Sequence, residues 1–225
     1  CIRDRGNSLA EGEIHGQNGG YPIAIALSND AVKLAVSMIN INEGSVKSTI
    51  AFYNYGTVGQ NEIDHCVGVN NYDDMVIPEM EFTSNDRMVA FGDTKAVIFE
   101  GAQKPQAIAE IPMDEKTKSI FYNEHYIGIV TGNEDEAVTN HLAVYDENGK
   151  LVMEKDFGLD YSSIEFLTNN EICIRNANVC DIYTVHGFYK FHHEFEEELF
   201  EIIPGKLKLN YTLVLKDTTQ RIRLK

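Results

Sequence analysis

The sequence predicts an all-β protein built from repeated four-stranded sheets, and three observations lead to this prediction. A short apolar strand, an Asn-centred polar turn and a second apolar strand recur four times. Each copy continues with a third strand rich in β-branched and aromatic residues, and then with a more polar fourth strand. Few segments show the apolar spacing of a helix. Four-stranded units that repeat about every 40 to 50 residues are typical of the blades of a β-propeller.

The turns of the four copies are anchored at Asn29, Asn85, Asn123 and Asn169, which lie 56, 38 and 46 residues apart. Asn and Asp side chains bond to the local backbone and tolerate left-handed conformations, so they favour the closing of a hairpin. We therefore expect four complete blades. Their approximate bounds are 21–74, 75–114, 115–160 and 161–199.

Both ends of the sequence predict partial blades. Residues 1–15 align without a gap with the outer edge of the third copy, where the segment 144–151 reads as strand, Asn-Gly turn and strand. Residues 1–20 thus correspond to the outer half of a blade, and 200–225 supply two or three further strands. We expect one propeller domain over 1–225, with about five blades, or an arc of a larger propeller.

The first residue, Cys1, allows two interpretations. It is either the start of a fragment, which we favour because strand-like sequence begins at once, or the lipidated first residue of a mature bacterial lipoprotein. No apolar run reaches the 18 or so residues that a membrane helix needs, and no signal-peptide pattern opens the chain. Any membrane contact would therefore depend on an anchor that precedes the given sequence.

The charge balance is strongly acidic, because 19 Lys and Arg stand against 35 Asp and Glu, which gives a net charge of −16. Such a chain repels phosphate backbones and anionic surfaces, so nucleic acid is not an expected partner. Basic residues cluster near the C-terminus, and we interpret them as a solvated strand face: Lys206, Lys208, Arg221, Arg223 and Lys225.

Sequence motifs point to no particular chemistry. Walker loops, dinucleotide fingerprints, GxSxG elbows and HExxH zinc motifs are all missing from the sequence. His192 and His193 are adjacent, so on a strand they point to opposite faces and cannot easily share one ion. We therefore predict no cofactor, no metal site and no catalytic residue.

Two of the four cysteines, Cys173 and Cys180, lie on one predicted hairpin. If the hairpin over 171–184 turns at Asn176 and Ala177, Cys173 and Cys180 face each other and come close enough for a strained disulfide. The alternative is a pair of buried free thiols, which we favour because free Cys is among the most buried residue types.

The segment 56–74 is the longest irregular stretch and the natural candidate for a functional insertion. Tyr53, Tyr55 and Tyr72 flank it and could stack on a sugar or grip a peptide. The alternative interpretation is that these tyrosines cap the end of a blade.

Two segments, 26–36 and 50–56, resemble an uncharacterised family of membrane-anchored, extracytoplasmic β-propeller-like proteins of Gram-positive bacteria, with WD40/YVTN-like repeats. The resemblance extends over the whole chain and ends in the segment 211–217. It implies an N-terminal membrane helix and an extracellular repeat domain. It supplies no catalytic residues.

We therefore expect a noncatalytic binding or scaffold module of the bacterial cell envelope. It would engage protein or glycan through a propeller face or through the 56–74 loop. An alternative is a carbohydrate-active propeller hydrolase or lyase, in which Glu81 and Glu165, both on first strands, would converge at about 5–10 Å in a central channel. A third possibility is a ring that only positions another domain, and it predicts no deep pocket.

Overall fold

The computed structural model describes residues 2–4, 7–10, 20–42, 44–56, 65–113, 116–132, 139–207 and 209–223. In this part of the chain all 21 regular elements are β-strands, which confirms the all-β prediction. The chain divides into two compact units, residues 1–115 and 116–225. The described ranges contain no helix with the length and apolar character needed to cross a bilayer.

The first unit contains one two-stranded and two four-stranded antiparallel sheets, in the orders β1-β2, β3-β4-β5-β6 and β7-β8-β9-β10. Each strand pairs with its neighbour in sequence. The strands are β1 (Ile2–Asp4), β2 (Asn7–Ala10), β3 (Tyr21–Leu27), β4 (Lys33–Asn42), β5 (Ser45–Asn54), β6 (Cys66–Asp73), β7 (Glu79–Phe82), β8 (Arg87–Phe91), β9 (Lys95–Glu100) and β10 (Gln106–Pro112).

The second unit contains two four-stranded sheets, β11-β12-β13-β14 and β15-β16-β17-β18, and a three-stranded sheet, β19-β20-β21. All of these are antiparallel too. The strands are β11 (Thr117–Tyr122), β12 (Tyr126–Gly132), β13 (Asn140–Asp146), β14 (Leu151–Phe157), β15 (Ser163–Phe166), β16 (Glu171–Arg175), β17 (Val179–Thr184), β18 (Tyr189–Glu194), β19 (Leu199–Pro204), β20 (Asn210–Leu215) and β21 (Thr219–Arg223).

Hydrophobic patterning explains which strands are interior. Along β20, Tyr211, Leu213 and Leu215 are buried and the residues between them are half-exposed, which is the period of two expected for a strand with one buried face. In β9 the run 96–99 is buried at every position. A continuous apolar run of this kind indicates a strand that is covered on both faces.

The cores lie between neighbouring sheets of the same unit. In the first unit one core contains buried side chains of both four-stranded sheets. Within it Phe52 of β5 contacts Phe99 of β9, and their ring centroids are 5.1 Å apart. The second unit has two such cores. Phe121 and Tyr183 belong to the one between β11–β14 and β15–β18, and Tyr211 belongs to the one between β15–β18 and β19–β21.

The polar turns close hairpins and also form hydrogen bonds with the turns of neighbouring sheets. Asn123 Oδ1 accepts the backbone N–H of His125 and of Tyr126, as the sequence predicts for a turn-forming Asn. Its Nδ2 also donates to Oδ1 of Asn170, in the corresponding turn of the next sheet, at 2.9 Å. In the first unit Asp30 N donates to Oδ1 of Asn85 in the same way, at 3.0 Å. The turn residues therefore link adjacent sheets within each unit.

The sequence interpretation of 56–74 as one irregular stretch is wrong for its second half. Residues 66–73 form β6, the fourth strand of its sheet, and residues 57–64 lie outside the described residues. Val67 and Tyr72 pack partly against the core of the first unit, and the backbone pairs with β5. This packing and pairing outweigh the low strand propensity of Asn70 and Asn71.

Candidate functional site

The three tyrosines predicted to flank a binding loop occupy different environments. Tyr53 is buried, in a cluster with Val36 and Met38, so its ring offers no free face. Tyr55 is half-buried, and its ring centroid lies 4.9 Å from that of His65. Tyr72 is half-buried on β6. Only Tyr55 and Tyr72 thus keep exposed ring surface.

The phenol of Tyr72 has a perturbed acidity. Burial, assisted by the negative charge of Glu110, raises the pKa of Tyr72 to about 12 from its usual 10.0. The ammonium of Lys95 lies 5.5 Å from the ring centroid, a cation-π distance. These contacts tie Tyr72 to the neighbouring sheet of its own unit.

Alkaline titration tests this placement. A group whose pKa is raised on folding contributes stability below its unfolded pKa, and that stability is lost as pH rises through the folded value. We expect Tyr72→Phe to remove one phenol that ionises near pH 12, measured by phenolate absorbance. The free energy of unfolding of the variant should also fall less steeply than that of the wild type between pH 10 and 12. An unchanged titration curve would contradict the placement.

The two carboxylates proposed for a central channel belong to different units. Glu81 lies on β7 of the first unit, and burial followed by the charge of Glu79 raises the pKa of its carboxyl. Glu165 lies on β15 of the second unit, and its Oε1 is 3.7 Å from Nε of Arg175. Their convergence in one pocket stays a prediction.

The cysteine pair is close, but its register differs from the predicted one. Cys173 pairs with Ile182 and Cys180 with Arg175, so the two cysteines are diagonal neighbours rather than direct partners. The turn is displaced by one residue because Oδ1 of Asn176 accepts the N–H groups of Asn178 and Val179. The Sγ atoms are 3.6 Å apart, both side chains are buried, and both cysteines are free thiols.

Thiol titration separates the two interpretations of this pair. The contact with Cys180 and burial raise the pKa of the Cys173 thiol above its usual range, which suppresses the reactive thiolate. In a Cys1→Ser/Cys66→Ser variant, we expect neither remaining thiol to react with an aromatic disulfide reagent in the folded state. Both should react after unfolding without reductant. If neither cysteine reacts with the reagent in the unfolded chain, the two form a disulfide instead.

A buried polar cluster connects two sheets of the second unit. Glu171 of β16 accepts hydrogen bonds from Nζ of Lys190 and from the hydroxyl of Tyr211. Lys190 Nζ also lies 3.3 Å from the Tyr211 hydroxyl, which closes the triangle. Sequence reasoning missed this cluster because its members are up to 40 residues apart and no motif connects them.

The histidines of β18 have separate partners. His192 Nδ1 lies 2.7 Å from Oδ1 of Asp181, whereas the ring of His193 contacts the rings of Phe191 and Phe195. Within the ranges that the structure describes, no group of three or more His, Cys, Asp or Glu side chains could hold a metal ion.

Two concave surfaces lie beside β21, an end strand of the three-stranded sheet. One is a groove of about 490 Å³ with apolar walls at Phe191, Phe195, Leu213 and Ile222. The acidic side chains of Glu194, Glu196 and Glu197 also line it. A second groove of about 520 Å³ lies beside the same strand and shares Ile222 and Arg223 with the first. The side chains that give this second groove its charge are Lys206, Arg221 and Arg223.

The sequence predicts that this basic cluster is a solvated strand face. Arg221 and Arg223 are indeed exposed, and among the described residues no carboxylate lies within ion-pair distance of Lys206, Arg221 or Arg223. Lys208 and Lys225 lie outside the described residues. The sequence indicated the charge, but the second groove and its position at a sheet edge needed the tertiary structure.

Four-stranded antiparallel meanders repeated along a chain are the blades of a β-propeller, and the fold of one similar solved structure agrees. The β-propeller domain of the Trilobed protease from Pyrococcus furiosus, described as having an open velcro topology, matches with a TM-score of 0.50 and 10% identity, over 90% of this chain and 70% of that one. The CNH domain of AfRom2 matches with a TM-score of 0.48 and 12% identity, over 92% of this chain and 71% of that one. The WD40 domain of Neurospora crassa Pan2 matches with a TM-score of 0.47 and 7% identity. The match includes 89% of this chain but only 61% of that domain.

The chain belongs to a family of unknown function, DUF5711, whose model matches residues 1–224. A comparison with curated proteins finds no match. The resemblance to an uncharacterised propeller family is confirmed to this extent. Membrane anchoring and a Gram-positive source stay predictions.

Proposed function

We propose that this chain is a noncatalytic protein-binding or scaffold module and that the surface around β21 is where a partner binds. One observation carries the proposal: two grooves lie beside the same exposed strand, one lined by apolar and acidic side chains and one cationic. Apolar side chains beside unpaired arginines are the composition that protein interfaces favour. The fold itself fixes no function, so the proposal depends on this surface.

The first unit offers less support for a binding site. Tyr53 is buried, and the centre of the 56–74 loop lies outside the described residues. A carbohydrate-active site would need Glu81 and Glu165 together, and their convergence stays a prediction. The binding of glycan and the hydrolase alternative thus have no comparable observation in their favour.

Photo-crosslinking in the native cells tests the protein-binding role. A photoreactive residue at Gln220, which is exposed on β21, should crosslink to another polypeptide. The same residue at Lys150, exposed in the turn that precedes β14, is the control and should not. If neither Gln220 nor other positions around the two grooves give a crosslink, the proposal is wrong.

We propose further that the module acts outside the cytoplasm, held by an N-terminal membrane anchor, as the family resemblance implies. Cys66 is an exposed thiol and therefore reports on location. In a Cys1→Ser variant, a membrane-impermeant maleimide should label Cys66 in intact cells, and Cys1→Ser/Cys66→Ser should lose that label. Labelling of Cys66 only after lysis would contradict the proposal.

A further inference from the structure

The groove of about 490 Å³ lies where two sheets of the second unit pack together. Phe191 of β18 and Phe195, just after β18, form one wall, and Leu213 of β20 and Ile222 of β21 form the other. Leu213 is buried in the core that the two sheets share, and the other three side chains pack partly against that core. The floor of the groove is therefore continuous with the core, which holds its apolar walls in place.

Aromatic rings form one continuous wall of this groove. Phe191 and His193 occupy alternate positions of β18, so both point to the same face of the sheet. The centroid of the His193 ring lies 6.0 Å from that of Phe191 and 4.6 Å from that of Phe195. Phe191 and Phe195 are only half-buried, so part of each ring stays open. The face of such a ring attracts cations.

Two of the carboxylates that line the groove have no cationic partner. Within the described ranges, no Lys, Arg or His side chain lies within ion-pair distance of Glu196 or Glu197. Glu197 Oε2 accepts the hydroxyl of Thr218 at 3.4 Å, which places it beside the turn that precedes β21. The third carboxylate, that of Glu194, lies 4.0 Å from Nε2 of His192.

The groove carries opposite charges at its two ends. Arg223 also lines it, five residues beyond Thr218, which corresponds to roughly 16 Å along an extended strand. Glu197 contacts Thr218, so the acidic end and Arg223 are well separated. A cationic ligand is attracted to the acidic end and repelled from the end at Arg223. The groove therefore fixes the direction in which a charged ligand can lie.

An apolar floor, an aromatic wall and an acidic end together match the side chain of Arg or Lys. Both have an apolar stem and a cationic head, and a guanidinium both stacks on aromatic rings and pairs with carboxylates. The net charge of −16 also attracts a basic partner over a distance. The same charge repels a second copy of this chain, which makes a different protein the better occupant.

We propose that this groove binds a basic segment of a partner protein. An Arg or Lys side chain of that segment lies against the ring of Phe195 and pairs with Glu196 and Glu197, while a neighbouring apolar side chain contacts Leu213 and Ile222. Complementary charge supplies selectivity and fast association, and the apolar contact supplies affinity. The proposal rests on the protein-binding role proposed above and names the chemistry of the partner.

The test is an NMR titration of the nitrogen-labelled full chain with a capped heptapeptide, Gly-Arg-Arg-Leu-Gly-Leu-Gly. We expect saturable shifts of amides in 193–197 and 213–222, and binding that weakens with salt. Glu196→Gln/Glu197→Gln should raise Kd about tenfold, the loss expected for a charge-assisted contact. Glu124→Gln/Glu147→Gln, the matched control, removes two carboxylates from other surface turns of the same unit. It should change Kd less than about twofold.

Two further variants test the aromatic wall and the direction of the groove, with effects of opposite sign. Phe195→Leu keeps an apolar side chain but removes the ring, and it should raise Kd about twofold to fivefold, the range of an exposed cation-π contact. Arg223→Gln removes the like charge at the far end, and it should lower Kd, by about twofold.

Two peptide variants leave the protein unchanged and separate groove binding from general charge attraction. A peptide with citrulline in place of each Arg has nearly the same shape but no charge, and it should not bind. A peptide with Ser in place of each Leu keeps its charge but loses the apolar contact. Its Kd should be at least about fivefold higher than that of the parent peptide.

Several results would overturn the inference. They are absence of saturable binding, equal binding of the citrulline or the Ser peptide, or an effect of Glu196→Gln/Glu197→Gln no larger than that of the control. Concentration-dependent dimerisation that Glu196→Gln/Glu197→Gln weakens would assign the groove to a second copy instead. If crosslinks from Gln220 persist while the peptide fails to bind, the protein-binding role stands and only the basic-segment chemistry is wrong.

Discussion

Replacement of Phe99 by alanine is expected to lower the free energy of unfolding of the first unit by about 3–5 kcal/mol, the usual cost of a buried Phe→Ala substitution. Phe99 is fully buried at the centre of the packed sheets and contacts the ring of Phe52. The variant would lose the transfer free energy of the ring and leave a cavity between two sheets. Urea or guanidinium denaturation followed by circular dichroism measures the change.

Phe200 provides the matched control, because it is also a phenylalanine on a strand but is 50% exposed. Phe200→Ala should change the free energy of unfolding by about 0.5 kcal/mol or less. Equal effects of the two substitutions would show that the described core of the first unit is wrong.

Removal of the Glu171 carboxylate is expected to destabilise the second unit by about 3 kcal/mol, because a partner of a largely buried ion pair is lost. Glu171→Ala leaves the ammonium of Lys190, which is only 21% exposed, and the hydroxyl of Tyr211 without their acceptor. Most of this loss of stability comes from leaving the ammonium and the hydroxyl without a partner, and less comes from the lost attraction of the ion pair. Denaturant unfolding of the second unit measures it.

A double variant checks this reasoning. Glu171→Leu/Lys190→Met removes both charges, so it should be more stable than Glu171→Leu alone. A double variant that is less stable than the single one would contradict the explanation that the unpaired ammonium of Lys190 causes the loss.

The stabilisation from this cluster should also depend on pH. Burial alone would lower the pKa of Lys190, but its hydrogen bonds and charge interactions with Glu171 and Tyr211 together raise it above 10.5. A raised pKa contributes stability that is complete below the unfolded pKa and is lost as pH rises through the folded one. The advantage of the wild type over Glu171→Ala should therefore shrink above pH 10.5.

The sequence predicted the strands well because local signals were sufficient for them. Asn and Asp at hairpin turns, with apolar runs on both sides, identified the first three strands of each complete sheet. The fourth strand β6 was missed, because Asn70 and Asn71 are poor strand formers and only pairing with β5 places them in a sheet.

Site features were less predictable, because they depend on register and on contacts between sheets. A displacement of one residue at the turn formed by Asn176 changed the partners of Cys173 and Cys180. The contact between Glu171 and Tyr211 joins two sheets, and nothing in either strand alone indicates it. The basic character of β21 was visible in the sequence, whereas the grooves beside it were not.

The amide contacts between neighbouring turns limit how this repeat can change in evolution or by design. Since Asn123 bonds to Asn170 and Asp30 to Asn85, the loop of one repeat is fitted to the loop of the next. A repeat transplanted from elsewhere would keep its own strands but lose these contacts unless its neighbour's turn changed as well. Duplication of single repeats should therefore be tolerated less readily than exchange of an adjacent pair together.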